Sequence, residues 1–432
     1  MNKKILIGIF ILLIIGVATA GAVVFLKPYN PTTPPKIDDQ FSKIEDRGST
    51  TERITAVATA NNKFNIDLYK KVATTGNNNL FFSSYSIFSA LAMTYEGADG
   101  ETAQEMKNVF YFPEENILRP NFAALYNIIN KKDKKYELRT GNALWAQKDY
   151  KFLDSYFSNV EKYYGGKAVN LDFINETELS RNTINTFIAE QTNDRIKNII
   201  PSGGVNSKTR LVISNAIYFK GKWNIEFDKE KTQDRDFKTP TGTIKVPTMA
   251  MYPKSEEQFN YYENDSLQAL ELPYKDKELS MIIFLPKADN GLSSLENDMD
   301  FDKLSEWTSN LKSTVVDEIY LPKFEFELYT EVVEPLRDLG MVSAFSQGAA
   351  DFSKMTGDKD LYVSNILHKA FIKVDEEGTE AAAATVVIIK ATSIGEPVQL
   401  KIFNADHPFI FMIRENSTGA ILFMGRITNP SA

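Results

Sequence analysis

The chain of 432 residues contains no cysteine. Disulfides, thiol nucleophiles and zinc–thiolate centres are therefore excluded. Histidine is nearly as scarce, with only His368 and His407 present. A hydrolase triad would have to use one of them, yet the nearest serines in sequence, Ser364 and Ser417, sit in no nucleophile-turn context. No GxSxG, HExxH, phosphate-loop or GxGxxG pattern occurs. Excess positive charge is also missing. The net charge of −8 argues against general nucleic-acid binding. The one basic run, Lys131-Lys132-Asp133-Lys134-Lys135, reads as a solvated face. The acidic group Asp298, Asp300 and Asp302 lacks the glycine and glutamate of a calcium loop, and reads as solvated surface too. Nothing calls for a metal or an organic cofactor, and the expectation is a protein that is not an enzyme.

Long apolar runs are confined to the N-terminus. Lys3 and Lys4 precede an uncharged stretch, residues 5–26. As a helix it would span about 33 Å at roughly 1.5 Å per residue, enough to cross a bilayer. The basic flank would keep its start cytoplasmic and send the rest outward. A cleaved signal peptide, with Ala18-Thr19-Ala20 as its processing site, is the rival reading of residues 1–26. Both place the remainder outside the cytoplasm, either anchored or secreted. Three sequons, at Asn175, Asn264 and Asn416, would permit glycosylation there. Residues 27–54 carry Pro28, Pro31, Pro34 and Pro35 and then mixed charge, which predicts a linker. No repeat and no second proline-rich break follows, so residues 55–432 are expected to form one domain.

The first part of that domain reads as helical. Phe64, Leu68 and Val72 share one helix face. Residues 83–96 are apolar nearly all round, predicting a buried helix, and 179–200 predict another. The second part reads as strands: 211–219, 279–285, 318–327, 361–374, 398–403, 409–414 and 420–427 are rich in Val, Ile, Phe and Tyr. Helices and strands do not alternate, which predicts an α+β fold with large, mostly antiparallel sheets. His368 sits in the strand-like "YVSNILHKAFIKV", and His407 precedes Pro408 at a strand entry.

One segment fits neither half. "VDEEGTEAAAATVVIIKATSIG" (374–395) is acidic, then tiny, then β-branched. If residues 378–391 formed a strand, Thr379, Ala381, Ala383, Thr385, Val387 and Ile389 would share one uncharged face. Glu380, Ala382, Ala384, Val386, Ile388 and Lys390 would share the other. Taken alone, the segment reads equally well as an alanine-rich helix followed by a strand.

The flanking sequence decides between them. "NLFFSSYSIFSALAMTYEGADGETAQEM" (79–106), "SNAIYFKGKWNIEF" (214–227), "LPYKDKELSMIIFLP", "LPKFEFE", "LRDLGM", "ADFSKM", "LYVSNILHKAFIKVDEEGTEAAAA" and "FNADHPFIFMIRENSTGAILFMGRITNP" occur in that order. In this ordered set the chain from about residue 61 to 430 resembles the serpins. One departure is Ser84, where the family usually has proline.

The resemblance implies a single domain of helices packed on large sheets, with an exposed reactive-centre loop at about 376–397. It implies a monomeric, single-use inhibitor of serine proteases: the loop is cut, and residues 378–391 then insert into the central sheet. A serpin-fold chaperone or binding protein that does not inhibit is the alternative. The hinge would be Glu376, Gly378, Thr379, Glu380 and Ala381, Ala382, Ala383 and Ala384. Family loop length counted from Gly378 gives Thr392–Ser393 as the cut bond, suiting an elastase- or subtilisin-like enzyme. Lys390–Ala391 is the alternative bond, suiting a trypsin-like one. By motif, Ser83, Ser86, Asn215 and His368 match a polar cluster beneath the parting sheet. Trp223 and Lys323 match the point where insertion begins, with Lys323 expected to meet Glu376 in an exposed pair.

Overall fold

The computed structural model describes residues 43–74, 78–131, 134–254, 256–379 and 400–432. Residues 1–26, expected to be an anchor or signal, lie outside them. No helix among the described residues is long and apolar enough to cross a membrane.

Three sheets organise the described chain. One seven-stranded sheet runs Leu80–Phe82, Ile421–Ile427, Phe409–Glu415, Leu279–Pro286, Leu267–Pro273, Phe259–Glu263 and Lys312–Thr314, in that spatial order. A four-stranded sheet runs Ile402–Asn404, Glu318–Pro322, Gly242–Met251 and Gln233–Thr239. The third sheet positions the site. Its order is Phe324–Thr330, Val363–Asp375, Gly378–Thr379, Leu211–Lys222, Ala143–Gln147 and Lys167–Leu171, with Tyr136–Thr140 also paired to Leu211–Lys222.

Helices cover both faces of this third sheet. The helix Thr51–Ala73 carries Phe64, Leu68 and Val72 on its buried face and opens inside the stretch read as linker. Its N-cap Thr50 accepts a hydrogen bond from the Arg53 N–H. The helix Ser84–Tyr95 is buried along its whole length, as its all-round apolar sequence predicts. Ser84 supports its start: the hydroxyl donates to the Ile421 carbonyl at 3.2 Å, and Ser83 caps the helix by accepting from the Ser86 N–H. On the opposite face, the helix Thr177–Gln191 lays Ile184, Phe187 and Ile188 over a second core with Trp145, Val212, Ala216, Leu367 and Phe371.

Two expectations need correction. The 179–200 helix ends at Gln191, because Asn193 and Asp194 adopt positive φ of 50° and 60°, a region these short polar side chains tolerate. The 318–327 strand is two strands, Glu318–Pro322 and Phe324–Thr330, in different sheets. Pro322 has no N–H to continue the ladder, and the chain changes sheets at Lys323, whose N–H bonds the Pro247 carbonyl at 2.8 Å.

Candidate functional site: a seam that is open at one end

Val363–Asp375 and Leu211–Lys222 lie side by side in parallel, paired from Val363/Leu211 to Ala370/Ile217. Beyond Ala370 and Ile217 they part, and Gly378–Thr379 lies between them, antiparallel to both. Thr379 faces Val374 on one side and Gly221 on the other, and Gly378 faces Asp375 and Lys222.

The residue types at this rung follow from the space. Gly378 has φ +154°, and an added Cβ would sit 2.0 Å from the Gly221 carbonyl oxygen, so only glycine fits. The Thr379 hydroxyl meets the buried Tyr274 hydroxyl at 2.9 Å. The Tyr274 ring in turn stacks on Trp223 at 4.7 Å. Burial pushes the Tyr274 hydroxyl pKa well up, so it stays protonated and able to donate.

The turn before this rung is clamped. The Trp223 indole N–H donates to the Asp375 carbonyl at 2.9 Å, and the Trp223 and Phe227 amides donate to the Glu377 and Glu376 carbonyls, each at 2.8 Å. Lys323 Nζ grips both Glu376 oxygens, at 3.0 and 2.8 Å, and the Thr232 hydroxyl donates to one of them at 2.7 Å. Glu377 is held by Lys229 and approached by Lys222 at 3.6 Å. The Lys323–Glu376 pair was expected to be exposed, but the Glu376 side chain is only 6% exposed. Burial pushes its carboxyl pKa up, and the Lys323 and Thr232 bonds outweigh that and hold it below the usual carboxylate range. The sheet switch at Lys323 is what delivers the ammonium to this point.

The paired part of the seam is fastened from beneath. His368 and Asn215 are register partners across it. The Ser83 N–H donates to His368 Nε2 at 3.0 Å, so the proton of the neutral ring lies on Nδ1, which donates to Asn215 Oδ1. Asn215 Nδ2 reaches Ser86 Oγ and Asn142 Oδ1, each at 2.7 Å, and Ser83 Oγ donates to the Leu422 carbonyl at 2.6 Å. Full burial pushes the His368 pKa down to about 3. The four residues grouped by motif, Ser83, Ser86, Asn215 and His368, are thus brought together. Asn142 completes the cluster and was missed, since an asparagine in a "TGN" turn carries no pattern that marks it.

Of the other loop residues singled out, Glu380, Ala381, Ala382, Ala383, Ala384, Lys390, Ala391, Thr392 and Ser393 lie outside the described residues. Among the described residues the arrangement holds no nucleophile–base pair; its two strands part beyond Ala370 and Ile217 and hold Gly378–Thr379 between them.

The comparisons agree with this geometry. A family model described as Serpin (serine protease inhibitor) matches residues 59–430. A serpin-like protein of Methanosarcina acetivorans is 43% identical over 376 residues, covering 87% of this chain and 86% of its own. The leukocyte elastase inhibitor of Xenopus laevis is 42% identical, covering 85% of this chain and 97% of its own. The crystal structure of Serpin48 from the insect Tenebrio molitor superimposes with a TM-score of 0.76 at 34% identity, covering 86% of this chain and 98% of its own. On these matches and this sheet, the chain belongs to the serpin family.

Proposed function

We propose that this serpin is a suicide-substrate inhibitor of serine proteases, cut at Thr392–Ser393 and acting outside the cytoplasm as a monomer. The observation that carries the reading is Gly378–Thr379, the first two residues of the inserting strand, already seated between two strands that are otherwise paired with each other.

If the inserting strand keeps this register, each later residue has a defined place. Continuing the two pairings antiparallel from Thr379 brings Glu380 between Lys373 and Lys220, on the outer face. Ala381 and Ala383 would fall on the inner face beside Phe219 and Ile372, then Ile217 and Ala370, all of them buried. Thr385 arrives between His368 and Asn215. Their mutual bond must break there, and a hydroxyl can serve both. Val386 and Ile388 fall on the outer face beside Leu367 and Val212, under the helix Thr177–Gln191, which accounts for apolar residues on both faces in this half.

In this reading the protease serine attacks the Thr392 carbonyl. The Thr392–Ser393 bond breaks, Ser393 leaves as a new amino terminus, and Thr392 is left as an ester on the enzyme. Release of the loop's far end lets residues 378–391 zip into the seam. At about 3.3 Å per residue the attached enzyme is carried about 45 Å. Distortion of its oxyanion site stops hydrolysis of the ester.

The test is incubation with elastase-, subtilisin- and trypsin-like proteases, followed by a denaturing gel and N-terminal sequencing of the released fragment. A stable covalent complex with a fragment beginning at Ser393 supports the reading. A fragment beginning at Ala391 moves the cut to Lys390 and the target to a trypsin-like enzyme. A loop that is cut with no surviving complex overturns inhibition and identifies a serpin-fold binding protein.

A further inference from the structure

The two edges of the four-stranded sheet are built differently. Gln233–Thr239, at one edge, exposes Asp234, Asp236 and Lys238, the kind of charge that keeps a free edge from pairing. Ile402–Asn404, at the other, exposes apolar side chains instead. Ile402 is 39% exposed, and Leu400, two residues before it, is 52% exposed. Both lie just after the loop.

Beside them stands an arginine without an acid. Register puts Ile402 opposite Glu318, Tyr320 opposite Ala250 and Arg235 opposite Val246, so Ile402, Tyr320 and Arg235 issue from one face of the sheet. The Arg235 guanidinium lies 3.7 Å from the centre of the Tyr320 ring. No carboxylate pairs with it among the described residues. Asp234 and Asp236 alternate onto the other face, where Lys245 meets Asp236 at 2.9 Å. Glu318 accepts from the Tyr320 hydroxyl at 2.6 Å. The exposed Tyr252 meets the Tyr320 ring edge-on, with the two hydroxyls 3.3 Å apart. Stacking pre-sets the guanidinium, so little ordering entropy is lost when it takes an acid from a partner.

We propose, resting on the inhibitor reading above, that Arg235, Tyr252, Leu400 and Ile402 form a docking surface for the body of the protease that cuts the loop. The matching surface of that enzyme carries a carboxylate and an apolar rim beside its substrate cleft. Chain length commits the surface to this partner. Seven residues separate Ser393 from Leu400, so an enzyme bound at the cut bond is held within about 24 Å of the surface. Under that tether even a weak second contact forms as an intramolecular one and adds to the first. Composition agrees, since tyrosine and arginine dominate contact energies at protein interfaces. The contact is also temporary. The acylated enzyme leaves with Thr392 while Leu400 stays beside its strand, so the surface speeds the encounter and has no part in the fate of the acyl-enzyme.

The test uses the full chain and whichever of the elastase-, subtilisin- and trypsin-like proteases gives a covalent complex. The second-order rate of complex formation is measured over rising salt, and the number of inhibitor molecules consumed per enzyme is a separate readout. Arg235→Ala should lower the rate at least about tenfold, as should Leu400→Ser combined with Ile402→Ser. Arg235→Glu should lower it further. The parent's rate should fall with salt, and that of Arg235→Ala should not. The number consumed should stay at the parent's value throughout. Rates unchanged in every variant, or lowered only in step with a rise in the number consumed, overturn the docking surface and leave the inhibitor reading standing. A dimer of the parent chain that Ile402→Ser abolishes, seen by analytical ultracentrifugation, gives the surface to a second copy and overturns it too. No covalent complex with any of the proteases overturns the inhibitor reading and the docking surface with it.

Discussion

Replacing Thr385 by valine isolates the registered insertion from everything else the chain does. Valine has threonine's shape, so packing is nearly unchanged and only the hydroxyl is lost. If the register extends from Thr379, the cut chain places residue 385 between His368 Nδ1–H and the Asn215 amide, which can no longer bond each other. A buried donor left without an acceptor costs about 1–3 kcal/mol. Melting entropy of about 2.1 cal/mol/K per residue over the matched region, residues 59–430, gives roughly 0.8 kcal/mol/K. The cut form should therefore melt about 1–4 °C lower than the cut parent. The assay is calorimetry of loop-cut and intact protein, in a fixed guanidinium background that brings the cut form's transition into range. If residue 385 enters the seam only after the cut, the intact protein should not change. Val387→Thr is the register control: its added hydroxyl would arrive between Ile366 and Ile213 and should lower the cut form's melting temperature by a similar amount. An equal drop in cut and intact forms, or no drop in the cut form, refutes the reasoning.

Thr379→Arg puts a charge against the buried Tyr274 hydroxyl and blocks the first rung; the loop should be cut and released without a stable complex on a denaturing gel. His368 has a folded pKa of about 3, far below its unfolded value of about 6.5, so the unfolded chain binds the extra proton. Its contribution to stability is complete above about pH 6.5 and is lost towards pH 3, at about 1.4 kcal/mol per pH unit. Denaturant titrations across that range should show the slope, and His368→Asn should reduce it. Lys323→Met leaves the Glu376 carboxylate with the Thr232 hydroxyl and a backbone N–H, which should lower the intact protein's unfolding free energy by about 1–3 kcal/mol, read from chemical denaturation.

Much of the architecture is legible in the residues, for identifiable reasons. All-round apolarity marks the buried helix Ser84–Tyr95, and β-branched runs mark the two strands of the seam. The motif order brings Ser83, Ser86, Asn215 and His368 to one point although the first and last are far apart in sequence. The misses share a cause, which is that they depend on tertiary position. The break at Lys323 interrupts a uniformly strand-like run, and only the two sheets on either side reveal it. Glu376 looks like a surface acid until the clamp of Lys323, Thr232 and Phe227 closes over it. If residues 378–391 insert as proposed, Val386 and Ile388 would lie on the face that the Thr177–Gln191 helix covers, a match visible only once that helix is placed.

The seated Thr379 has a kinetic consequence. A one-residue slip would turn every inward side chain outward, so a free strand searching for its place could trap itself misaligned. If residues 378–391 insert as proposed, the alignment would be chosen when the polypeptide first folds, before any protease arrives. A cut would then leave no search, only the serial parting of fasteners ahead of an advancing end, with His368 and Asn215 as the midway gate, and the race against deacylation would be timed by how fast that gate yields.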